Sequence, residues 1–332
     1  MKKFNKKLII HIGYPKTAST TLQVNLMGKL IKLKKILCLA HAPELPGYAY
    51  KNRLNIYNCY NYILSGKKNN DKIKKELKNL SRINQKVSLL SSESLAWIAE
   101  DTQRDHSKLP LLINKNSERM YELFNKYFSK IIIVIVIRNQ SELCSSIYKE
   151  TLEVMKLPDY KNWIRRILIK KGIKNSFLNF YRQIGNYQKL FGKKNVQVLL
   201  YEDLLYDQDY FFNQLSKIFN TTKNFTKKNF LKKKMNVNPY SFTFNYTLSN
   251  FITIFLARYI RNIVPEKFYN FLQKIYSVTL RKLFDLITFK KTSINLKNQK
   301  DKKFILSKFK KINKSLIIRG INKYKLKKYD YI

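Results

Sequence analysis

A chain of 332 residues with 45% hydrophobic and 14% aromatic residues can bury a core of one large α/β domain or two small ones, which excludes global disorder. Its 66 Lys and Arg against 21 Asp and Glu leave a formal charge of +45, a field that draws nucleic acid, anionic lipid or nucleotide phosphates. A bias toward Lys, Asn, Ile, Phe and Tyr accounts for part of that charge but not for the scarcity of acids. Cys38, Cys59 and Cys144 are odd in number and far apart, with no C-x-x-C spacing for zinc or redox work, so a reduced, cytoplasmic location is expected. The basic start could pass for a signal n-region, but its apolar run ends at His11 and Lys16 and does not read as a secretory signal. The longest charge-free apolar stretches, near Ile131 to Ile137 and Phe251 to Ala257, fall below the roughly 18 residues of a membrane span.

Lys7 to Gly13 alternates toward apolar and stops at Gly13 and Pro15. Ser19 to Leu30 then has helical spacing, with Ser or Thr available as a cap, so this region predicts strand, tight turn and helix. Ile36 to Ala40 reads as a short strand, Tyr57 to Ser65 and Asp71 to Leu80 as helices, and Val87 to Leu90 as a strand running into Ser91-Ser92-Glu93. Ser117 to Tyr127 is helical in pattern. Ile131 to Ile137 is an unbroken β-branched run, as in a strand buried on both faces of a parallel sheet. It ends at Arg138-Asn139, ahead of a helix from about Ser141 to Met155. Asn175 to Leu190 reads as a helix, Val196 to Leu200 as a strand and Phe211 to Phe219 as a helix. Strands alternating with helices predict an α/β fold, a P-loop-like parallel central sheet flanked by helices, with ligands at the carboxyl ends of the strands.

From about Thr222 the texture turns basic and aromatic, with Glu266, Asp285, Asp301 and Asp330 as the acids and no strand alternation. Phe268, Phe271, Leu272 and Ile275 share a helical face opposite Lys267, Asn270, Lys274 and Arg281. That amphipathic helix either packs on the main domain or lies on an anionic membrane surface. With no repeats and no Gly/Ser linker, residues 1–221 read as the α/β core and 222–332 as a basic, mainly helical part of the same domain.

Two constellations carry phosphate chemistry. His11-Ile12-Gly13-Tyr14-Pro15-Lys16-Thr17-Ala18-Ser19-Thr20-Thr21-Leu22-Gln23 lies between a buried strand and a helix, where outward-pointing amides and the dipole's positive end suit a phosphate and Lys16 adds a mobile cation. It is not a Walker A loop, because Lys16 comes early and is followed by hydroxyl residues. Arg138, at the end of the buried strand, and Ser146, two helical turns later, can converge on a second phosphate through a fork of donors and a hydroxyl. A third group, Ser91-Ser92-Glu93-Ser94-Leu95, places a carboxylate at the mouth of the sheet, where it can serve as general base or merely stabilise a helix N-terminus. His106 is a rival base, and His11 and His41 read as strand-end histidines with structural hydrogen bonds.

At these residues the chain resembles the PAPS-dependent sulfotransferases, and among them the bacterial, carbohydrate-type members. PAPS is 3'-phosphoadenosine 5'-phosphosulfate. Their phosphosulfate loop reads approximately Y-P-K-[ST]-G-[ST]-T, in bacterial members often H-I-G-x-x-K-T-G-[ST]-T-x-L-Q; Gly13, Pro15, Lys16, Thr17, Ala18, Ser19, Thr20 and Thr21 match it, with Ala18 in place of Gly. Arg138 to Tyr148 resembles the 3'-phosphate motif R-[ND]-P-x-[DE]-x-x-x-S-x-Y, with Gln140 in place of Pro, and Glu93 resembles the glutamate of an S-S-E-x-L pattern. VQVLLYEDL at Val196 to Leu204, and Asn313 through Tyr331, extend the likeness. The family's Arg-Lys-Gly triplet is absent; Lys232-Lys233-Lys234 is a candidate substitute.

The resemblance implies sulfuryl transfer from PAPS, as co-substrate and without a metal, to a hydroxyl acceptor such as a saccharide or glycolipid. Lys16 and Glu93 would be catalytic, and Arg138 and Ser146 would anchor the 3'-phosphate. A P-loop kinase would need a Walker A lysine and a magnesium-binding Asp after a buried strand, where this chain has Arg138. A non-catalytic basic protein binding nucleic acid or anionic membrane explains the charge but neither phosphate motif, and nucleic acid is the less favoured partner.

Overall fold

The computed structural model of the chain describes residues 4–40, 53–82, 85–92, 95, 109–154, 160–168, 173, 176–231 and 299–332. Strands β1 (Phe4–Gly13), β2 (Leu37–Ala40), β3 (Arg53–Asn55), β4 (Val87–Ser92), β5 (Phe128–Ile137) and β6 (Val196–Leu200) form one sheet in the order β3-β2-β4-β1-β5-β6. Every adjacent pair is parallel.

The residue pattern explains why β1 and β5 lie inside the sheet and not at its edge. Alternate side chains of a strand point to opposite faces, so a strand covered on both sides must be apolar throughout. Ile131, Ile133, Ile135 and Ile137 of β5 enter one hydrophobic cluster, while Ile132, Val134 and Val136 enter the other. In β1, Leu8, Ile10 and Ile12 face the first cluster and Ile9 the second. Burial of each such side chain contributes about 1.5–3 kcal/mol against an exposed reference.

Helix α1 follows β1 in three stretches, Ser19–Thr21, a π-helical Leu22–Met27 and Gly28–Lys32. The order continues with α2 (Tyr57–Ser65), α3 (Asn70–Ser81), α4 (Leu109–Phe124), α5 (Gln140–Val154), α6 (Tyr160–Leu168) and α7 (Phe180–Phe191). Then come α8 (Tyr201–Tyr206), α9 (Gln208–Phe219), α10 (Lys223–Phe230), α11 (Gln299–Lys314) and α12 (Lys323–Lys328). Leu22, Leu26 and Leu30 of α1 and Phe211, Phe212 and Leu215 of α9 cover one face of the sheet. Cys59, Phe124, Ile147 and Ile184 cover the other, joined by Ile305, Phe309 and Leu326 from the C-terminal helices. The C-terminal segment is thus part of the core packing.

Some element bounds depart from the sequence expectation for identifiable reasons. Helix α7 starts at Phe180, not Asn175, because the Asn179 side chain accepts from Arg182 N at 3.1 Å and caps it there. Helix α4 starts at Leu109, well before Ser117, since Pro110 in a first turn has no N–H to lose. Strand β3 and helix α6 carry patterns too short to stand out. The amphipathic segment around Phe268 to Arg281 lies outside the described residues. Among the described residues no helix is long and apolar enough to cross a membrane.

Candidate functional site

The carboxyl ends of β1, β4 and β5 meet where neighbouring strands are reached in opposite directions along the sheet, the usual ligand position in such folds. β1 delivers Gly13, after which Tyr14 is buried, donating its hydroxyl to the Phe177 carbonyl at 3.2 Å and meeting Phe180 edge-on with ring centroids 5.2 Å apart. Pro15 is buried behind it. Lys16 and Ala18 both take left-handed backbone conformations, φ 60° and 62°. A left-handed residue next to a right-handed one, as Ala18 is to the helical Ser19, turns successive amides toward a common concavity, which favours an anion.

The cap expected of Ser or Thr on α1 is not there. Ala18 is the N-cap residue and has no side chain to offer. The hydroxyls of Thr17 and Ser19 instead donate to the Tyr14 carbonyl, at 2.7 and 3.1 Å, holding the loop closed from within. No side chain therefore caps the N-terminus of α1, and its dipole end is left for a ligand. The π-helical turn follows directly, an irregularity often seen beside functional sites.

Arg138 links the two segments that the sequence marks as candidate phosphate motifs. It lies 122 residues from Lys16, and its Nη1 donates to the Lys16 carbonyl at 3.0 Å. Its guanidinium stacks 4.6 Å from the Tyr201 ring centroid, and Nη2 lies 3.8 Å from Glu142 Oε2. Ser146 is half-buried two turns along α5. A cleft of about 370 Å³ opens beside Arg138, lined also by Tyr201, Glu202, Tyr206, Lys302 and Lys328.

Behind Arg138 lies a buried polar network that sequence reasoning missed. Asn139 N donates to Glu202 Oε1 at 2.8 Å, and Asn139 Nδ2 donates to the carbonyls of Tyr329 and Asp330, both at 3.0 Å. Tyr331 donates to Glu202 Oε2 at 3.0 Å, and Tyr329 to Asp203 Oδ1 at 2.9 Å. Lys325 sits between Asp203 and Asp207, at 2.7 and 3.2 Å. Burial pushes the Glu202 carboxyl up, against the hydrogen bonds from Asn139 and Tyr331 that favour its ionised form. The signals available for this network were Asn139 beside Arg138, the Y-E-D string following a buried strand and the Asn313 to Tyr331 segment, none of which says that they meet.

At the end of β4, His11 Nδ1 and Ser91 Oγ lie 2.8 Å apart, and Gln23 Nε2 donates to the same Ser91 Oγ at 2.9 Å. His11 is thus the hydrogen-bonded strand-end histidine expected, with a buried Nε2 that has no partner. Burial lowers its pKa to about 4, so the ring is neutral near pH 7. Ser92 Oγ lies 2.6 Å from the Tyr60 hydroxyl. Glu93, His41, His106 and Lys232 to Ser241 lie outside the described residues.

No protein-family model and no curated protein matches the sequence. Among solved structures, the chain is similar to a sulfotransferase from Alicyclobacillus acidocaldarius, with 14% identity over 79% of this chain and 98% of that one and a TM-score of 0.39. It is also similar to mouse sulfotransferase SULT7A1 complexed with PAP, with 10% identity over 71% of this chain and 69% of that one and a TM-score of 0.35.

Proposed function

We propose that this chain is a sulfotransferase that moves a sulfuryl group from PAPS to a hydroxyl of a saccharide or glycolipid. The observation that carries the reading is the 3.0 Å bond from Arg138 to the Lys16 carbonyl, which holds the side chain we assign to the 3'-phosphate against a loop whose helix no side chain caps. PAPS carries its 3'-phosphate and its 5'-phosphosulfate on one ribose, so it needs two anion sites at a short, fixed separation.

In this reading the loop that starts at Gly13 holds the 5'-phosphosulfate through the amides from Lys16 to Thr21 and the Lys16 side chain, and Pro15, which has no N–H, and Ala18 shape the loop. Thr17 and Ser19 act through their amides, since their hydroxyls are engaged with Tyr14. Thr20 and Thr21 follow in the first turn of α1. Arg138 and Ser146 hold the 3'-phosphate. When bound, PAPS supplies an activated sulfuryl group. Glu93 takes the proton of the acceptor hydroxyl as its oxygen bonds to sulfur, and Lys16 with the loop amides stabilises the charge left on the phosphate oxygen as the sulfur–oxygen bond breaks. Positioning and electrostatics carry such a transfer without a metal.

Calorimetric titration with 3'-phosphoadenosine 5'-phosphate tests the nucleotide site. Binding by the wild type that is lost in Arg138→Ala supports the reading and leads to an acceptor screen with PAPS. No binding by either protein overturns it and leaves the basic surface as the function to pursue.

A further inference from the structure

The two C-terminal helices are joined by a tight turn that turns apolar side chains toward water. Ser315–Ile317 forms a 3-10 turn, closed by Ile318 N to Ser315 O at 3.1 Å and Gly320 N to Ile317 O at 2.9 Å, with Gly320 at φ 94°. Leu316 and Ile321 are buried from this turn, whereas Ile318 is 66% exposed, Ile317 38% and Tyr324, at the start of α12, 71%. Neighbours on and after α7 pin the backbone: Gln188 Nε2 donates to the Arg319 carbonyl at 2.9 Å and Lys193 Nζ to the Ile318 carbonyl at 3.1 Å. The Arg319 guanidinium also stacks 4.1 Å from the Tyr181 ring centroid.

The two segments that build this corner carry only basic charge, while Asp203 and Asp207, beside α12, are paired with Lys325. Residues 176–201 and 302–329, the two segments that meet here, contain no Asp or Glu. Lys193, Lys194, Lys314 and Lys323 are exposed around the turn. The Lys193–Asn195 turn leads into the amino end of β6, so this corner lies at the end of the parallel sheet opposite Gly13 and Arg138.

We propose that this corner is a docking surface for an anionic phospholipid bilayer, with Ile317, Ile318 and Tyr324 entering the headgroup boundary and the lysines pairing with lipid phosphates. The charge suits any polyanion, but the isoleucines discriminate. An aliphatic side chain has neither a stacking face nor a hydrogen bond for a base, and on nucleic acid it would stay in water, whereas the acyl boundary removes it from water. A rigid backbone presents the pair at little ordering cost. Docked this way, the chain holds its phosphate loop facing away from the lipid. The inference does not depend on the sulfotransferase reading.

The test is cosedimentation of the full chain with vesicles of phosphatidylcholine alone and of phosphatidylcholine with phosphatidylglycerol, comparing wild type with Ile317→Ser/Ile318→Ser. The expected result is binding to the anionic vesicles only, weakened about tenfold or more in the double variant, with an Ile318→Trp variant shifting its fluorescence to the blue on vesicle addition. Equal partitioning of wild type and double variant would reduce the surface to unspecific attraction and overturn the proposal. So would an unshifted spectrum of the Ile318→Trp variant with displacement by single-stranded RNA, which would mark a nucleic-acid surface. Unchanged thermal unfolding and 3'-phosphoadenosine 5'-phosphate binding in the variants keep the outcome separate from folding and from the nucleotide site.

Discussion

Gln140 and Asn313, 173 residues apart, exchange two hydrogen bonds between their buried amides, Gln140 Nε2 to Asn313 Oδ1 at 2.8 Å and Asn313 Nδ2 to Gln140 Oε1 at 3.1 Å. Asn313 also donates to the Tyr331 carbonyl at 2.9 Å. The pair ties the helix that follows Arg138 to the C-terminal segment, at the position where the resembling family has proline. Proline has no side-chain amide, so the Gln140 bonds to Asn313 are ones that a proline there would not make.

Removing either amide strands the other in a buried site. Asn313→Ala is expected to lower unfolding free energy by about 2–3 kcal/mol, read from urea denaturation. Gln140→Ala/Asn313→Ala should cost clearly less than the sum of the single variants; additivity would show that the pair is not coupled.

Ala18 occupies a left-handed conformation, φ 62°, that costs an L-residue roughly 1–2 kcal/mol. Ala18→Gly relieves that strain and loses part of the gain to a more flexible unfolded chain. The expected result is a net stabilisation of about 0.5–1 kcal/mol in the same denaturation experiment, with nucleotide affinity unchanged or improved.

Lys16→Ala should leave stability within about 0.5 kcal/mol, as for a surface substitution, yet reduce sulfuryl-transfer turnover by about a hundredfold or more. An unchanged rate, in an assay with labelled PAPS, removes Lys16 from the mechanism. Arg138→Lys should rescue little of the nucleotide affinity lost in Arg138→Ala, because an ammonium cannot bond the Lys16 carbonyl, stack on Tyr201 and fork onto a phosphate together.

His11 sets an acid limit on stability. Its imidazole has a pKa of about 4 in the folded protein against 6.5 as the reference, so the unfolded chain takes up a proton first as pH falls. Its contribution is fully present above pH 6.5 and is lost progressively toward pH 4, by roughly 3 kcal/mol. Urea midpoints across that range should fall for the wild type and flatten for His11→Gln; equal slopes would assign the acid loss to other groups.

What the sequence determined by itself was local. The alternation of Lys7 to Gly13 and the β-branched run Ile131 to Ile137 specify strands through side-chain period and burial, and Arg138 had to lie at a strand end because the apolar run stops there. The departures at Ala18 and Gln140 were visible as residue types. Their consequences were not: a backbone dihedral decides what Ala18 costs, and Asn313 decides what Gln140 does. The bond from Arg138 to the Lys16 carbonyl, the stacking on Tyr201, the inward-turned hydroxyls of Thr17 and Ser19 and the outward-turned Ile317 and Ile318 likewise came only with the tertiary structure. Hydrophobic period is encoded within a few residues. Hydrogen-bond partners and exposure depend on loop dihedrals and on segments distant along the chain, and hydrophobic period carries neither.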